Sequence, residues 1–314
     1  MEAIVVTEFG SAEQMRWKTK PDPVPGPGQV RIAVEASGIH RVDLEVRAGH
    51  RLGTFPLPDL PYVPGREVAG TVDQVGNDVD RHLLGIRVAV SLGNANGGYA
   101  RFALAPDVDL HPIDPALDAG IAVAMVGTGR TALGLLANAQ LSAADTVLIT
   151  GAAGGLGVLF VQAAHRLGAT VIAVSGGAEK TTLTTTLGAD LSVDHNQPDW
   201  LEQIRRHRPT VLLDGSGGTI GAAAVHVLAP HARALFFGHP TGVSDAELAQ
   251  LGIASTMALG GFTPEKNRTW AAEALAEAAA GELIPQITRF PLADAAHAHI
   301  EFDARRTLGK VVLI

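Results

Sequence analysis

Apolar and polar positions along the chain change rhythm near residue 116. Before that point, short β-type segments are separated by Pro and Gly: Ala3–Thr7, Gln29–Ala36, Ala69–Val75, Arg87–Ser91 and Tyr99–Ala105. Pro21–Gly28 and Phe55–Gly65 read as loops between them. Short strands punctuated in this way predict a partly open β-barrel. Beyond 116, apolar strands alternate with helical stretches. Thr146–Thr150 is followed by a helix over Val158–Leu167 and a strand over Thr170–Ser175. Leu191–Val193, Val211–Asp214 and Ala234–Gly238 follow, each preceded by a helical segment. That alternation predicts an α/β fold, a doubly wound parallel sheet with helices on both faces. Trp270–Ala280 reads as helix, and the tail Lys310–Ile314 returns to strand.

Between Thr150 and Val158 lies the most informative run, Gly151-Ala152-Ala153-Gly154-Gly155-Leu156-Gly157. A strand entering a glycine turn that opens a helix builds an anion site. Bare backbone approaches a pyrophosphate, and the unpaired N–H groups of the helix face its charge. Gly151, Gly154 and Gly157 are spaced GxxGxxG rather than GxGxxG. The strand–turn–helix–strand context gives the glycines their meaning as a dinucleotide site. At the end of the next strand, where NAD enzymes carry Asp or Glu for the ribose 2′-hydroxyl, Ser175-Gly176-Gly177 stands. A hydroxyl at Ser175 and a cation at Lys180 suit a 2′-phosphate, and NADPH is the expected cofactor. Glu179, beside the lysine, opens the next helix and is free to point away.

The 314 residues exceed what one core usually holds, so two domains are expected. A net charge of −8 argues against nucleic-acid binding. No apolar stretch is expected to reach the ~20 residues that span a bilayer, and the acidic, strand-like start is no signal peptide. With no cysteine, disulfides and thiolate metal sites are excluded, and a cytoplasmic location is expected.

Several motifs in order resemble the medium-chain dehydrogenase/reductase superfamily, in its zinc-independent quinone oxidoreductase branch. They are Ala36-Ser37-Gly38-Ile39-His40-Arg41-Val42-Asp43-Leu44, Val63-Pro64-Gly65-Arg66-Glu67-Val68-Ala69-Gly70, Gly97-Gly98-Tyr99-Ala100, Leu187-Gly188-Ala189-Asp190 and Gly309-Lys310-Val311-Val312-Leu313. The resemblance implies a GroES-like β-barrel catalytic domain over 1–115, a Rossmann NADPH-binding domain over 116–260, and a return segment, 261–314, that completes the barrel. It places the active site in the cleft between the domains and implies a homodimer, paired along strands in Gly252–Phe262.

The resemblance also assigns residues. Ala153, Gly154, Gly155 and Leu156 are expected along the pyrophosphate, with Gly215, Ser216, Phe237 and Gly238 at strand ends nearby. His239 follows Gly238 in the same stretch. His195 stands where related NADPH reductases carry a tyrosine that touches the 2′-phosphate. His40, Asp43 and Thr131 are the catalytic candidates. His40 replaces an asparagine of the family pattern; an imidazole donates to a carbonyl or gives up a proton. Tyr99 is expected to be structural, and His226, His231, His297 and His299 to be scattered surface or helix residues.

Zinc relatives carry Cys where His40 stands and His where Arg66 stands, and no four-cysteine lobe follows Val90. No metal site is therefore expected, since a fixed cation at Arg66 opposes a divalent ion. Without a Lewis acid, hydride transfer to an electron-poor acceptor is the easier chemistry. Quinones or related enones are the expected small-molecule substrates. An enoyl reductase of conjugated acyl or natural-product substrates, a non-catalytic NADPH-binding protein and a zinc alcohol dehydrogenase remain as alternatives.

Overall fold

The computed structural model describes residues 1–51, 56–238, 240–257 and 260–314. Phe55 of the predicted loop, His239 after the expected cofactor-binding Gly238, and Ala258 and Leu259 of the segment expected to pair subunits lie outside these.

The chain opens with β1 (Glu2–Val6), β2 (Met15–Thr19), β3 (Gln29–Ile39), β4 (Glu67–Val75), β5 (Arg87–Ser91), β6 (Phe102–Pro106) and β7 (His111–Pro112). Among the described residues, one α-helix, α1 (Arg41–Ala48), and short 3-10 turns interrupt them. Then come α2 (Ala119–Ala124), a π-helical turn over Met125–Gly129 and α3 (Arg130–Ala139). The alternating stretch follows as β8 (Thr146–Thr150), α4 (Gly155–Arg166), β9 (Thr170–Ser175), α5 (Ala178–Thr186), β10 (Leu191–Asp194), α6 (Trp200–Arg205) and β11 (Val211–Asp214). It continues with α7 (Gly218–Val225), β12 (Arg233–Phe236), α8 (Asp245–Gln250) and β13 (Ala254–Met257). The chain closes with α9 (Pro264–Ala279), β14 (Ile287–Phe290), α10 (Ala295–Asp303) and β15 (Lys310–Leu313).

Two compact units result: residues Met1–Thr128 with Ala271–Ile314, and residues Gly129–Trp270. The first division falls later than the expected 115/116 because α2 packs on β3, β4 and β15 of the first unit. The predicted alternation from 116 thus begins with a helix that belongs to the barrel.

In the first unit, seven strands form one sheet in the order β14-β15-β3-β4-β5-β7, with β6 also on β3, and β1 pairs β2 apart from it. β3 is longer than the predicted Gln29–Ala36 and bulged against β4. Bulges let a long strand bend and serve two neighbours. Gly70 fits the crossing with β3, where a Cβ would overlap the Ala33 carbonyl. The tail strand β15 lies between β14 and β3. Val311 faces Ile39, Val312 faces Gly38 and Leu313 faces Ser37. On the other side of β3, Ser37 faces Val68. These registers bring Lys310, His40 and Glu67 to adjacent ends of three strands.

The second unit carries a six-stranded sheet, parallel throughout, in the order β10-β9-β8-β11-β12-β13. The chain runs outward from β8 to β10 and then reverses to β11 and out to β13. The switch point therefore lies between β8 and β11, where such sheets bind ligands beyond the strand carboxyl ends. Leu148, Ile172, Val174, Leu212 and Ala234 fill its core.

One expectation needs correction and one is made more specific. Residues Ala119–Ala139 form a continuous helical run of 21 residues, long and apolar enough by length and composition to cross a membrane. The turn and two helices merge into one apolar rod, and 72% of its window is buried inside the protein, as a core helix would be. His299, expected as a surface or helix residue, lies on α10 and is 1% exposed. It projects from α10 edge-on to the Tyr99 ring (5.8 Å, 85°), with its Nε2 3.2 Å from the Tyr99 hydroxyl. Tyr99 is itself fully buried, which fits its expected structural role.

Burial, with a smaller contribution from the Arg47 charge, pushes the His299 imidazole from its ordinary 6.5 down to about 3. The unfolded chain binds a proton below 6.5 that the folded chain refuses, so this stabilisation is complete above 6.5 and is lost as pH falls toward 3. Urea unfolding of wild type at stepped pH should show the loss, with a slope approaching ~1.4 kcal/mol per pH unit from this one group. His299→Gln should flatten the profile; an identical slope in both proteins would assign the acid sensitivity elsewhere.

Candidate active site

Two constellations stand out, one in each unit. In the barrel unit, α1 starts just beyond β3, and His40 and Asp43 bond reciprocally across its first turn. The Asp43 carboxylate accepts the His40 N–H (2.7 Å), while the Asp43 N–H bonds the His40 carbonyl (3.0 Å). The other Asp43 oxygen lies 3.3 Å from Arg66 Nε. Arg66 also donates to the Gly93 carbonyl and to Asn94 Oδ1 (3.2 and 2.9 Å). Burial pushes the Asp43 carboxyl upward, opposed by His40, Arg66 and Lys310.

Beside this pair lies a second one that the sequence reading passed over. Glu67 is 1% exposed and Lys310 4% exposed, and their charged groups are 2.6 Å apart. His40 joins them: its Nε2 is 2.8 Å from Glu67 Oε2 and 3.1 Å from Lys310 Nζ. Burial alone would raise the Glu67 carboxyl; His40 and Lys310 more than reverse this and hold it down to about 2. The carboxylate fits because both its neighbours lack side chains. A Cβ on Gly38 would overlap Oε1, and one on Gly127, in the π-helical turn, would overlap Oε2. One signal did exist in the sequence, a lysine opening an otherwise wholly apolar strand.

The second constellation lines the carboxyl rim of the parallel sheet. Gly151 adopts φ +65°, which favours glycine, and turns the chain out of β8. Gly157 sits so close that a Cβ would come within 2.6 Å of the Ala152 backbone. α4 can therefore start hard against the turn. The N–H groups of Gly155, Leu156 and Gly157 open this helix with no intrahelical acceptor. Gly154, Gly155 and Leu156 are partly accessible, whereas Ala153 is buried and contributes backbone only.

Across the switch point, Asp214 is fully buried. It accepts hydrogen bonds from the Thr150 hydroxyl and from the N–H groups of Ser216 and Gly217 (3.3 and 3.1 Å). The loop Gly215–Gly217 is thereby pinned beside the glycine turn. The Phe237 and Gly238 N–H groups bond the Asp214 carbonyl, and the Phe237 ring packs edge-on against buried Phe160 (5.3 Å).

At the end of β9, the Ser175 hydroxyl is buried with no hydrogen-bond partner among the described residues. Such a group fits a ligand that completes it. His195 Nε2 lies 2.9 Å from where a Gly176 Cβ would stand, so its ring covers Gly176. Lys180 belongs to the first turn of α5. A carboxylate does reach this rim, contrary to the bare Ser-Gly-Gly reading: Asp194, on the neighbouring strand, pairs in register with Ser175. Its Oδ1 accepts the Gly177 and Asn196 N–H groups (2.9 and 3.0 Å), which hold its carboxyl below the ordinary value. Turned to the loop, it leaves the Ser175 hydroxyl uncontested. Thr131 stands in the first turn of α3, in this second unit.

Residues 26–115 match the alcohol dehydrogenase GroES-like domain, and residues 155–279 match the zinc-binding dehydrogenase family. A quinone oxidoreductase of Pseudomonas aeruginosa is 31% identical over 98% of this chain and 97% of its own. The chain belongs to the quinone oxidoreductases, a branch of the medium-chain dehydrogenase/reductase superfamily. A 2-haloacrylate reductase of a Burkholderia species is 30% identical over 99% of this chain and 98% of that one. Among solved structures, the Escherichia coli quinone oxidoreductase complexed with NADPH superposes with a TM-score of 0.89, at 26% identity and full coverage of both chains. In this quinone oxidoreductase family member, His40, Asp43, Arg66 and Glu67 fall within the first match, and Gly155, Leu156, Ser175 and Asp214 within the second.

Gly157→Ala is expected to force α4 away from its turn and to lower stability by roughly 1–3 kcal/mol. An unchanged urea midpoint would show that the helix start tolerates a methyl group there.

Proposed function

We propose that this protein reduces quinones or related conjugated carbonyl compounds with NADPH, without zinc. The observation that carries the reading is the pairing of a complete dinucleotide rim, including a buried, unanswered Ser175 hydroxyl, with a barrel site rich in hydrogen-bond donors. NADPH fits the rim through the Gly154–Leu156 backbone, the Ser175 hydroxyl and Lys180, with His195, Ala153, Gly215, Ser216, Phe237 and Gly238 shaping the walls. When bound, it supplies a hydride to the acceptor.

The chain's own residues do the rest. His40, about a quarter exposed at its side chain, presents a donor to the acceptor oxygen. Asp43 fixes the His40 backbone, and Thr131 adds a hydroxyl. Each carboxylate that zinc would need is already committed to a cation, Asp43 to Arg66 and Glu67 to Lys310. Among the described residues, no group of three or more His, Asp and Glu side chains is placed to hold a metal ion. That donor set supports zinc-independent chemistry, in which an electron-poor acceptor needs orientation and hydrogen bonding rather than a Lewis acid. A 2-haloacrylate reductase among the relatives favours a second reading, reduction of an alkene conjugated to an acyl group.

We also propose a homodimer paired through β13. This strand ends the sheet with Ala254, Ser255 and Thr256 exposed, and an open edge of this kind is a template for a partner strand.

Purified protein should consume NADPH with a quinone or enone panel. Lys180→Ala should raise the Michaelis constant for NADPH about tenfold, a loss of ~1.4 kcal/mol, and leave that for NADH nearly unchanged. Equal effects on both nucleotides would remove the 2′-phosphate from Lys180. His40→Ala should lower turnover by about 10²-fold at an unchanged Michaelis constant for quinone; a loss below threefold would leave His40 a loop residue.

A further inference from the structure

We propose that Lys310 is the proton reservoir of the reaction and that His40 carries its proton outward as a neutral imidazole relay, with Glu67 serving both ends. The inference rests on the reduction of a conjugated carbonyl proposed above and assigns the source of the proton that this reduction needs. Three contacts carry it. Lys310 Nζ lies 3.1 Å from His40 Nε2 and Glu67 Oε2 lies 2.8 Å from it, and the relay assigns the resting ring the tautomer in which the ammonium donates into the Nε2 lone pair. A ring that accepts at Nε2 carries its own hydrogen on Nδ1. Nε2 faces two buried groups while the His40 side chain keeps about a quarter of its surface exposed, so the relay takes Nδ1, on the far side of the ring, as its outward end.

The transfer balances without any further reagent. As the acceptor oxygen gains charge, the Nδ1–H bond breaks and an O–H bond forms. The Nζ–H bond of Lys310 breaks in turn and an Nε2–H bond forms. The ring ends neutral in its other tautomer, and Lys310 ends as a neutral amine. Glu67 fits both states. Before transfer its Oε1 pairs with the Lys310 ammonium at 2.6 Å, and after transfer its Oε2 receives the new Nε2–H, already 2.8 Å away. Solvent acid then protonates Nδ1 at the exposed edge, and the Nε2 proton returns to Lys310. The other charges near the ring are Asp43, on the His40 N–H, and Arg66, paired with Asp43. Both are occupied with each other, and neither lies on the path.

Lys310 acts through His40, so the test must separate proton release from positioning. Lys310→Arg keeps the cation and its donor but does not release a proton. It should retain the wild-type melting temperature and Michaelis constant for quinone, yet lower turnover about 10²-fold. Nitrogen-15 NMR of the His40 ring, in full-length protein without nucleotide, gives a readout independent of turnover. Wild type and Lys310→Arg should show hydrogen on Nδ1. Lys310→Met should move it to Nε2, facing Glu67.

If arginine does not fit the buried site, the Lys310→Met/Glu67→Gln pair, which removes both charges, should show the same loss of turnover. Hydrogen on Nε2 in wild type, or a folded Lys310→Arg with turnover within about threefold of wild type, would overturn the relay while quinone is still consumed. Wild type that consumes neither quinone nor enone would overturn the functional reading, and the relay's chemical step with it.

Discussion

A carboxylate with 1% exposure sets the terms for the barrel unit. Glu67 is tolerable only because Lys310 and His40 stand against its two oxygens. A buried charge without partners is strongly destabilising, and a paired one is weak glue but a strict specifier of geometry. Here the specification is topological. The three partners come from the ends of β15, β3 and β4, and a slip of one residue in either register would turn one of them to the opposite face. Gly38 and Gly127 complete the fit by leaving room that any side chain would fill. Asp43 and Arg66 repeat the solution next door, so two anions and two cations are buried together.

The parallel-sheet unit reaches its function by other means. Its rim is organised by backbone and by strand ends rather than by charge pairs. Gly151 and Gly157 let a helix begin against a turn, and Asp214 holds the facing loop by its N–H groups. Each device satisfies its own backbone groups and leaves accessible donors aimed beyond the sheet, which is what a pyrophosphate needs. The two units thus divide the labour between recognising a nucleotide and managing a proton.

Much of this was legible in the sequence, for identifiable reasons. The parallel sheet was readable because period and composition agree over each strand, and because the glycine turn has a local signature. Chain distance alone placed Ser175 at the end of the second strand, where β9 does end. What escaped depends on pairing across long separations. Lys310 and His40 are 270 positions apart, and only the β15–β3 register joins them. Asp194 escaped because it arrives at Ser175 from the neighbouring strand. His299 escaped because its helix, α10, shows little amphipathic contrast, so nothing in the pattern marks which histidine faces inward. Thr131, assigned through the resemblance alone, stands in the first turn of α3.

The position of β15 also bears on how the molecule is made. Residues Gly129–Trp270 form one unit that is continuous along the chain. The barrel unit has no such continuity, and its sheet stays open between β14 and β3 until Lys310–Leu313 are inserted. Until those closing residues leave the ribosome, Glu67 has no lysine beside it and β3 has a bare flank. The charge cluster of the barrel unit therefore depends on a strand that follows the whole second unit in the chain.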